Sequence, residues 1–295
     1  MNDNIICIIE EKLNCKVIST SSIGKGASGT VFKIKIDNEP YELAIKCSNF
    51  PQLLKEEYDT ISFISNKVNC KLPKLYFYNE YENIAFFCME YIEGVEPNSK
   101  NLFLKKNKQK LANEIIDNLI NIQTVHNDKY GYVDNASYDT WFEFYNEFAS
   151  EIANFANNSD VPNIVKEAVN KSYKMLNKIV GAVSGKPTMI HGDYWIPNFI
   201  VDTKSMSLKG VLDPFNIMWA EPEYELFALT VGYGKKMHLL ETYKNKVKTS
   251  EYCDIKVELY SLYNELFWYK KLGKIDFHYL EYRSKNLLKM LQNIG

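Results

Sequence analysis

Residues 189–201 read Met-Ile-His-Gly-Asp-Tyr-Trp-Ile-Pro-Asn-Phe-Ile-Val, with Asp193 followed five residues later by Asn198. Apolar runs on both sides predict a strand, a loop and a second strand, an arrangement that can aim both side chains into one cleft. A carboxylate there can orient a hydroxyl and accept its proton, while an amide oxygen can ligate magnesium. Either residue alone is typical of an ordinary turn, so this segment gains meaning only from its order among the others.

A second carboxylate follows a short distance downstream. Residues 210–214 read Gly-Val-Leu-Asp-Pro, which places Asp213 at the end of another predicted strand. Together with Asn198, this carboxylate could hold a metal ion that bridges the phosphates of a nucleotide.

A glycine-rich loop lies near the amino terminus. Residues 24–31 read Gly-Lys-Gly-Ala-Ser-Gly-Thr-Val, and glycines let a backbone approach phosphate oxygens without a clash from Cβ. A dinucleotide-binding fold would need a helix to begin at this loop, whereas residues 31–36 alternate as a strand does. The context therefore favours a kinase-type lid over nucleotide phosphates, formed by Gly24, Gly26, Ser28, Gly29 and Val31.

Lys46 ends the apolar run that follows this loop. Residues 43–46 read Leu-Ala-Ile-Lys, and such a lysine either emerges into solvent or meets anions, because burying it unpaired is costly. The next predicted helix offers Glu57 and Glu56 as partners. Glu57 fits better, since it begins a Glu-x-x-x-Ile-x-x-Ile pattern, and Glu56 is the alternative. A lysine held by a glutamate is how kinases grip nucleotide phosphates.

The chain divides into two parts with different patterning. The first ninety or so residues alternate short β-rich runs with turns around one helical stretch at 52–68, which predicts a small antiparallel sheet. Beyond Gly94 the pattern changes to long helical periodicities, at 111–125, 140–155, 164–179, 223–246 and 257–272. We therefore expect an α+β protein of two lobes, with a nucleotide-binding lobe at 1–92 and a larger helical lobe at 93–295 that carries the catalytic loop and acceptor pocket.

Composition and charge limit the classes of partner that the chain is expected to bind. The 295 residues carry 35 basic and 37 acidic side chains, a net charge of −2, so nothing indicates nucleic acid or an anionic membrane. No apolar run reaches the roughly 18 residues that span a bilayer, and the first residues lack a secretory-signal pattern, which predicts a cytoplasmic protein. The six cysteines are scattered without a Cys-x-x-Cys pair, so neither zinc nor disulfides are expected.

Taken together, the order of these segments resembles a known family. The glycine loop, strand lysine, helix glutamate, a Met-Glu-Tyr-Ile linker at 89–92, the His-Gly-Asp loop and Asp213 occur in kinase order over nearly the whole chain. Gly192, where protein kinases have arginine, makes the chain similar to the aminoglycoside phosphotransferase and choline kinase-like branch of the protein-kinase-like fold. That arginine pairs with a phosphorylated activation loop, and no Ala-Pro-Glu segment is present. The resemblance implies a kinase that needs no activation by phosphorylation.

The resemblance also implies a role for each candidate residue. Asp193 would be the catalytic base, and Asn198 and Asp213 would ligate Mg²⁺. Lys46, paired with Glu57, would hold the nucleotide phosphates.

The linker would receive the purine of the nucleotide by the same resemblance. Its backbone from Glu90 to Ile92 would bind the base, and Met89 would limit the depth of the pocket behind it. Because an unbranched thioether packs readily against adenine, ATP is the expected donor, with GTP left open. His191 is expected to be a structural member of its loop.

The acceptor is expected to be a hydroxyl of a small, amino-bearing molecule such as an aminoglycoside. Glu143 and Glu147 fall on one face of a predicted helix, where they either receive a polycationic substrate or form a solvated face. Glu221 and Glu223 form a second candidate acidic rim, or they cap and orient the helix that follows.

Tyr194 and Trp195 adjoin the proposed base, and they either stack on a sugar ring or pack under the loop. The pattern His-Gly-Asp-x-Trp-x-x-Asn, with Asp-Pro and Glu225-Leu226 downstream, is also similar to the fructosamine kinases, so a ketosamine kinase is the alternative enzyme. A catalytically idle, kinase-like binding protein is a further alternative. Retention of the lysine, the amide and both carboxylates argues against it.

Overall fold

A computed structural model describes residues 1–26, 29–102, 107–183 and 185–294. By density of internal contacts, the chain divides into two compact units. The first unit comprises Met1–Leu111 and Pro197–Phe215, and the second comprises Ala112–Ile196 and Asn216–Gly295. Residues 93–111 and 197–215 thus group with the amino-terminal part, and the lobe boundary expected after residue 92 stays a prediction.

The helices and strands alternate along the first hundred residues and become mainly helical afterwards. Up to residue 122 they are α1 Asp3–Leu13, β1 Val17–Lys25, β2 Thr30–Ile36, β3 Glu42–Ser48, α2 Pro51–Lys67, β4 Leu75–Tyr81, β5 Ile84–Glu90, α3 Ser99–Leu102 and α4 Lys108–Ile122. The remainder are β6 Gly131–Tyr132, α5 Trp141–Asn158, α6 Asn163–Lys174, α7 Leu176–Val180, β7 Thr188–Met189, β8 Phe199–Asp202, β9 Ser207–Val211, β10 Met218–Ala220, α8 Tyr233–Lys236, α9 Leu239–Lys244, α10 Cys253–Leu272 and α11 Phe277–Leu291. Two 3₁₀ helices, Ile196–Asn198 and Tyr224–Thr230, lie among them.

The first unit is built on a five-stranded antiparallel sheet with the order β1-β2-β3-β5-β4. Successive side chains of a strand point to opposite faces, and each face of this sheet packs against a different helix. On one face Ile34 and Ile45 form a cluster with Ile5 and Ile9 of α1. On the other face, a cluster from α2 and the strands contains Ala44, Leu54, Ile61, Phe87 and Met89. Lys46 lies between Val31 and Phe87 in the register of the sheet, and therefore on the α2 face.

The second unit has a core of helices α5, α6, α7, α10 and α11 and a three-stranded sheet with the order β6-β10-β7. Trp141, Tyr145, Tyr260 and Tyr263 fill its centre with aromatic side chains that are almost fully buried. Their rings meet edge to face or offset, the geometries that aromatic pairs prefer. The strand β7 leads directly from this core into the His-Gly-Asp loop.

The expectation of one helix over 223–246 is wrong. A 3₁₀ helix at Tyr224–Thr230 and the short helices α8 and α9 occupy this stretch instead. Gly232 and His238 between them have φ of 57° and 54°, in the left-handed region that an α-helix cannot continue through. Helical spacing of apolar residues along a stretch thus does not reveal where its backbone breaks.

The sequence interpretation also missed α1 and α11, whereas the antiparallel sheet around α2 and the helical remainder confirm the expected α+β class. Among the residues that the structure describes, no helix combines the length and apolar character needed to cross a bilayer.

Candidate active site

Lys46 is the centre of a buried charged cluster in the first unit. Its side chain is 5% exposed, and its Nζ donates to Glu57 Oε1 at 2.7 Å and to Asp213 Oδ1 at 2.9 Å. Burial alone would lower the pKa of Lys46, but the carboxylates of Asp213 and Glu57 outweigh it, so the pKa is raised and the lysine stays charged. The sequence-predicted lysine, helix glutamate and second carboxylate therefore meet, although Lys46 and Asp213 lie far apart in the chain.

The structure distinguishes the two candidate glutamates of α2. Glu57 bonds to Lys46 and is 11% exposed, whereas Glu56 is exposed and accepts a hydrogen bond from Gln52 Nε2 at 3.3 Å. Adjacent helix positions point about 100° apart, so only one of them can face the sheet. Burial raises the pKa of Glu57 to about 7, with the charge of Lys46 opposing that shift.

Asn198 and Asp213 lie at the same end of the β8–β9 hairpin. Phe199 pairs with Val211, and one residue beyond this pair the N–H of Leu212 donates to the carbonyl of Asn198 at 2.7 Å. The hairpin register therefore brings the amide-bearing residue beside the segment that leads to Asp213. Asn198 is 8% exposed, whereas the side chain of Asp213 is 54% exposed.

These two residues fit a magnesium site of the kind that nucleotide phosphates complete. An amide and a carboxylate are hard oxygen donors, and Mg²⁺ usually takes one or two protein ligands together with phosphates and water. Among the described residues, no group of three or more His, Cys, Asp or Glu side chains could hold a metal without such help.

Apolar side chains line the α2 face of the sheet beside Lys46. Ala44 lies opposite Met89 in the register of β3 and β5, and both belong with Val31 and Tyr91 to one apolar cluster. Ile92, downstream of this cluster, packs against Gly210, where a Cβ would lie 2.4 Å from its Cδ1. The linker candidates thus border the charged cluster, and Glu90 is exposed, its N–H donating to the carbonyl of Lys74 at 2.8 Å.

The glycine loop joins β1 and β2. Gly24 pairs with Val31 across the two strands, and the N–H of Gly26 donates to the carbonyl of Gly29 at 2.8 Å. A Cβ on Gly29 would lie 2.3 Å from the carbonyl oxygen of Cys47, so this position requires a glycine for close approach to β3. Ser28, the remaining candidate of the lid, lies outside the described residues.

The proposed base belongs to the second unit. Asp193 follows β7 and is half-buried, and its N–H donates to Nδ1 of His191 at 3.4 Å. His191 is fully buried, which agrees with a structural part in the loop. The N–H groups of His191 and Gly192 each donate to Glu225 Oε2 at 3.2 Å. Sequence reasoning gave Glu225 no contact with this loop.

Glu225 is a buried carboxylate, 2% exposed. Burial raises its pKa to about 8, despite hydrogen bonds from the backbone and from Gln123 that favour the charged form. The cost of desolvation is therefore larger than the gain from the hydrogen bonds that the carboxylate receives.

The expected acidic rim at Glu221 and Glu223 is wrong. Both side chains are fully buried, and Nζ of Lys256 lies 2.5 Å from Glu221 Oε2 and 2.9 Å from Glu223 Oε2. Burying unpaired carboxylates is costly, and the ion pairs to Lys256 are what allows it. The sequence signal for these pairs was a single lysine within the apolar pattern of α10.

Tyr194 packs under the loop rather than facing a ligand. It is fully buried, and its hydroxyl donates to the carbonyl of Ile115 at 2.7 Å and accepts from Asn118 Nδ2 at 3.1 Å. The expectation that it stacks on a sugar is therefore wrong, whereas Trp195 is half-buried and its part stays a prediction.

Glu143 and Glu147 are exposed on α5. This exposure is expected both for a surface that receives a cationic substrate and for an ordinary solvated helix face. Glu143 forms a capping box with Thr140, and Glu147 accepts a hydrogen bond from the hydroxyl of Tyr138 at 2.8 Å. These contacts give each carboxylate a local structural part. A part in substrate binding stays a prediction.

Comparisons with known proteins show the family to which this chain belongs. A sequence profile of the fructosamine kinase family matches residues 1–293. The curated relative YcbJ of Escherichia coli strain K12, itself uncharacterised, is 24% identical over 164 residues, 55% of this chain and 55% of that protein. The chain thus spans about half the length of the curated relatives it matches.

Solved structures show the fold class. A candidate fructosamine-3-kinase of Thermobifida fusca superposes with a TM-score of 0.73 at 15% identity, covering 98% of this chain and 100% of that one. A second, from Haemophilus somnus, gives 0.69 at 16% identity with 96% of each chain covered. A thermostable mutant of aminoglycoside phosphotransferase APH(4)-Ia, in complex with AMP-PNP and hygromycin B, gives 0.71 at 12% identity, covering 97% and 98%.

The fold is therefore the kinase-like fold of small-molecule phosphotransferases. Since the profile covers nearly the whole chain, the chain belongs to the fructosamine kinase family. The expected kinase-like fold is confirmed, and the family is the one predicted as the alternative from the motifs.

Proposed function

We propose that this protein is a kinase that transfers the γ-phosphoryl group of ATP to a hydroxyl of a small, amino-bearing sugar derivative, with a ketosamine as the first candidate. The observation that carries the proposal is Lys46 clamped between Glu57 and Asp213 within hydrogen-bond distance of both. A cation held in this way beside an exposed carboxylate suits the phosphates of a nucleotide. Membership of the fructosamine kinase family supports the choice of acceptor.

The first unit would bind the nucleotide. Lys46 would donate to its phosphates, and the apolar cluster with Val31, Ala44 and Met89 would pack against the purine, whose polar edge the backbone at 90–92 would meet. Gly24, Gly26 and Gly29 would lie over the phosphates, because backbone without Cβ atoms can approach them closely.

Asn198 and Asp213 would hold Mg²⁺, which neutralises charge on the phosphates when it is bound. The ion pair between Lys46 and Asp213 keeps this carboxylate beside the phosphate-binding lysine. The hydrogen bond from the N–H of Leu212 to the carbonyl of Asn198 keeps Asn198 beside the segment that leads to Asp213.

Asp193 would accept the proton of the acceptor hydroxyl. The hydroxyl oxygen then bonds to the γ-phosphorus while the bond from that phosphorus to the bridging oxygen of ADP breaks. Most of the acceleration would come from positioning and from charge neutralisation rather than from covalent chemistry. In this proposal, residues 93–295 supply the loop and the acceptor pocket.

Turnover assays with MgATP and a panel of acceptors test the proposal. The panel contains a ketosamine, aminoglycosides, choline and simple sugars, and ADP release is measured for the wild type and for Asp193→Asn. We expect turnover with the ketosamine and a fall of about 10³-fold or more in kcat for Asp193→Asn with nearly unchanged nucleotide affinity. Wild-type turnover in Asp193→Asn would refute the role of the base, turnover on an aminoglycoside alone would replace the acceptor, and nucleotide binding with no turnover on any acceptor would favour a binding protein.

A further inference from the structure

The backbone just before Asp193 is held by a buried carboxylate. Glu225 Oε2 accepts the N–H groups of His191 and Gly192, both at 3.2 Å. These are the two residues that immediately precede the proposed base. The orientation of the peptide groups leading into Asp193 therefore depends on where the carboxylate of Glu225 stands.

Glu225 in turn belongs to a short segment, 221–225, that is anchored by a buried lysine. Lys256 of α10 is fully buried, and its Nζ donates to Glu221 Oε2 at 2.5 Å and to the carbonyl of Ala182 at 2.7 Å, with Glu223 Oε2 at 2.9 Å. Its three contacts leave little freedom for the segment. Neither Glu221 nor Glu223 reaches the solvent.

Gln123 fixes the same segment from another side. Its Nε2 donates to the carbonyl of Pro222 at 2.9 Å. The hydroxyl of Tyr243 donates to Gln123 Oε1 at 2.8 Å, so the amide of Gln123 is itself fixed in orientation.

Stability alone gives a weak account of this arrangement. Removing charges from water costs several kcal/mol for each ion, and apolar side chains of similar volume are often as stabilising as a buried ion pair. An ion pair with several hydrogen bonds holds the groups that it joins in one fixed position, whereas an apolar contact does not. The group fixed here is the segment that holds the loop of the proposed base.

We propose that Lys256 is a positioning residue for the catalytic loop, which it reaches through Glu225 by fixing the segment 221–225. This inference rests on the proposed function, because it assumes that Asp193 is the base. Lys256 does not touch the loop itself. Its effect on turnover would therefore be transmitted through Glu225 and would vanish once the carboxylate of Glu225 is gone.

A double-mutant cycle tests whether the effect of Lys256 on turnover passes through Glu225. We would measure kcat, KM for ATP and thermal unfolding for Lys256→Met, Glu225→Ala and the double variant, at a temperature where each is folded. Each single change is expected to lower kcat about 10- to 100-fold, the range typical of a misplaced catalytic group, with KM for ATP within about twofold. The double variant is expected to be no slower than the slower single variant.

The controls separate positioning from a general loss of structure. Lys270→Met makes the same substitution on the same helix but removes an exposed ion pair with Glu151, so its kcat should match the wild type. If Lys256→Met does not fold, the neutral combination Lys256→Met with Glu221→Gln and Glu223→Gln takes its place in the cycle, with the same expected loss of kcat. Multiplying losses in the double variant, or wild-type kcat in the folded Lys256 variants, would overturn the inference.

The failure of this inference and of the proposed function can be told apart. Asp193→Asn is measured in parallel with the same acceptor. If Asp193→Asn is inactive while the Glu225 and Lys256 variants turn over normally, only the positioning role is refuted. If Asp193→Asn is as active as the wild type, the proposed base itself is wrong.

Discussion

Each of the two units contains one buried lysine flanked by two carboxylates, and the two clusters differ in their access to solvent. In the first unit, Lys46 bonds to Glu57 and to Asp213, whose side chain is 54% exposed. In the second unit, all three side chains of the cluster around Lys256 are fully buried. The same charges are therefore partly exposed to solvent in one case and wholly enclosed in the other.

This difference shows that the residue types of a charged cluster do not by themselves distinguish a binding site from a structural centre. A carboxylate that keeps one side in solvent can exchange its lysine for a metal ion, and the lysine can then bind phosphate, without a large desolvation penalty. A carboxylate that is wholly enclosed can lose its lysine only at a cost of several kcal/mol. The first cluster can take part in binding and release, while the second is suited to holding its surroundings in place.

The largest contrast is expected in activity when the open cluster loses its lysine. Lys46→Met should lower kcat/KM about 10²- to 10³-fold, because a preorganised cation that stabilises phosphate charge is removed. Steady-state kinetics with MgATP measure this. The Glu56→Gln variant is the matched control, since Glu56 lies beside Glu57 but does not bond to the lysine. Equal losses in the two variants would contradict a specific phosphate-binding cluster.

The next effect is expected in stability when the enclosed cluster loses its lysine. Lys256→Met should lower the free energy of unfolding by about 3–5 kcal/mol, because two carboxylates are left buried without a counter-ion. Chemical denaturation measures the loss, and the exposed pair removed by Lys270→Met should cost less than about 1 kcal/mol. The neutral variant with Glu221→Gln and Glu223→Gln should recover most of the loss. A neutral variant no more stable than Lys256→Met would show that packing, not charge, holds this centre.

The last effect is expected in the pH dependence of stability. The pKa of Glu225 is raised from 4.5 to about 8 by burial, so between these pH values the folded state keeps a proton that the unfolded state releases. Stability from this group is therefore lost as pH rises from 4.5 to 8 and changes no further above that. Glu225→Gln cannot titrate, so its stability relative to the wild type should increase over this range.

Denaturation at pH 5 and pH 8 measures that change. Other buried carboxylates with raised pKa values, Glu57 and Glu221, are present in both proteins, so they cancel in the difference between variant and wild type. A difference that stays constant with pH, or that shrinks as pH rises, would show that the carboxylate of Glu225 is not held in the protonated form by burial.

Much of the fold followed from local patterns. Alternation over 31–36 predicted β2, the apolar run over 43–46 predicted β3, and helical spacing over 52–68 predicted α2, because each pattern reflects the burial of one element. The stretch 223–246 failed for the same reason. Its apolar spacing suited a helix but carried no sign that the backbone breaks at Gly232 and His238.

The candidate site followed from the sequence only where the order of motifs was informative. Lys46, Glu57 and Asp213 could be proposed together because each falls at the end of a predicted strand or on one helix face in a known order. Glu221 and Glu223 looked like a surface rim, because a charged residue in a sequence is usually solvated. Their partner Lys256 lies more than thirty residues away, and nothing local linked them.

The amino-acid sequence by itself therefore determined which residues could carry phosphoryl-transfer chemistry and in what order they come along the chain. Only the tertiary structure decided which charges are open to solvent and which are enclosed, as the contrast between Asp213 and Glu221 shows. The physical reason is that the cost of a charge depends on its surroundings in three dimensions. A carboxylate is the same group in both places, and its partners and its exposure are set by chain segments that are distant in sequence.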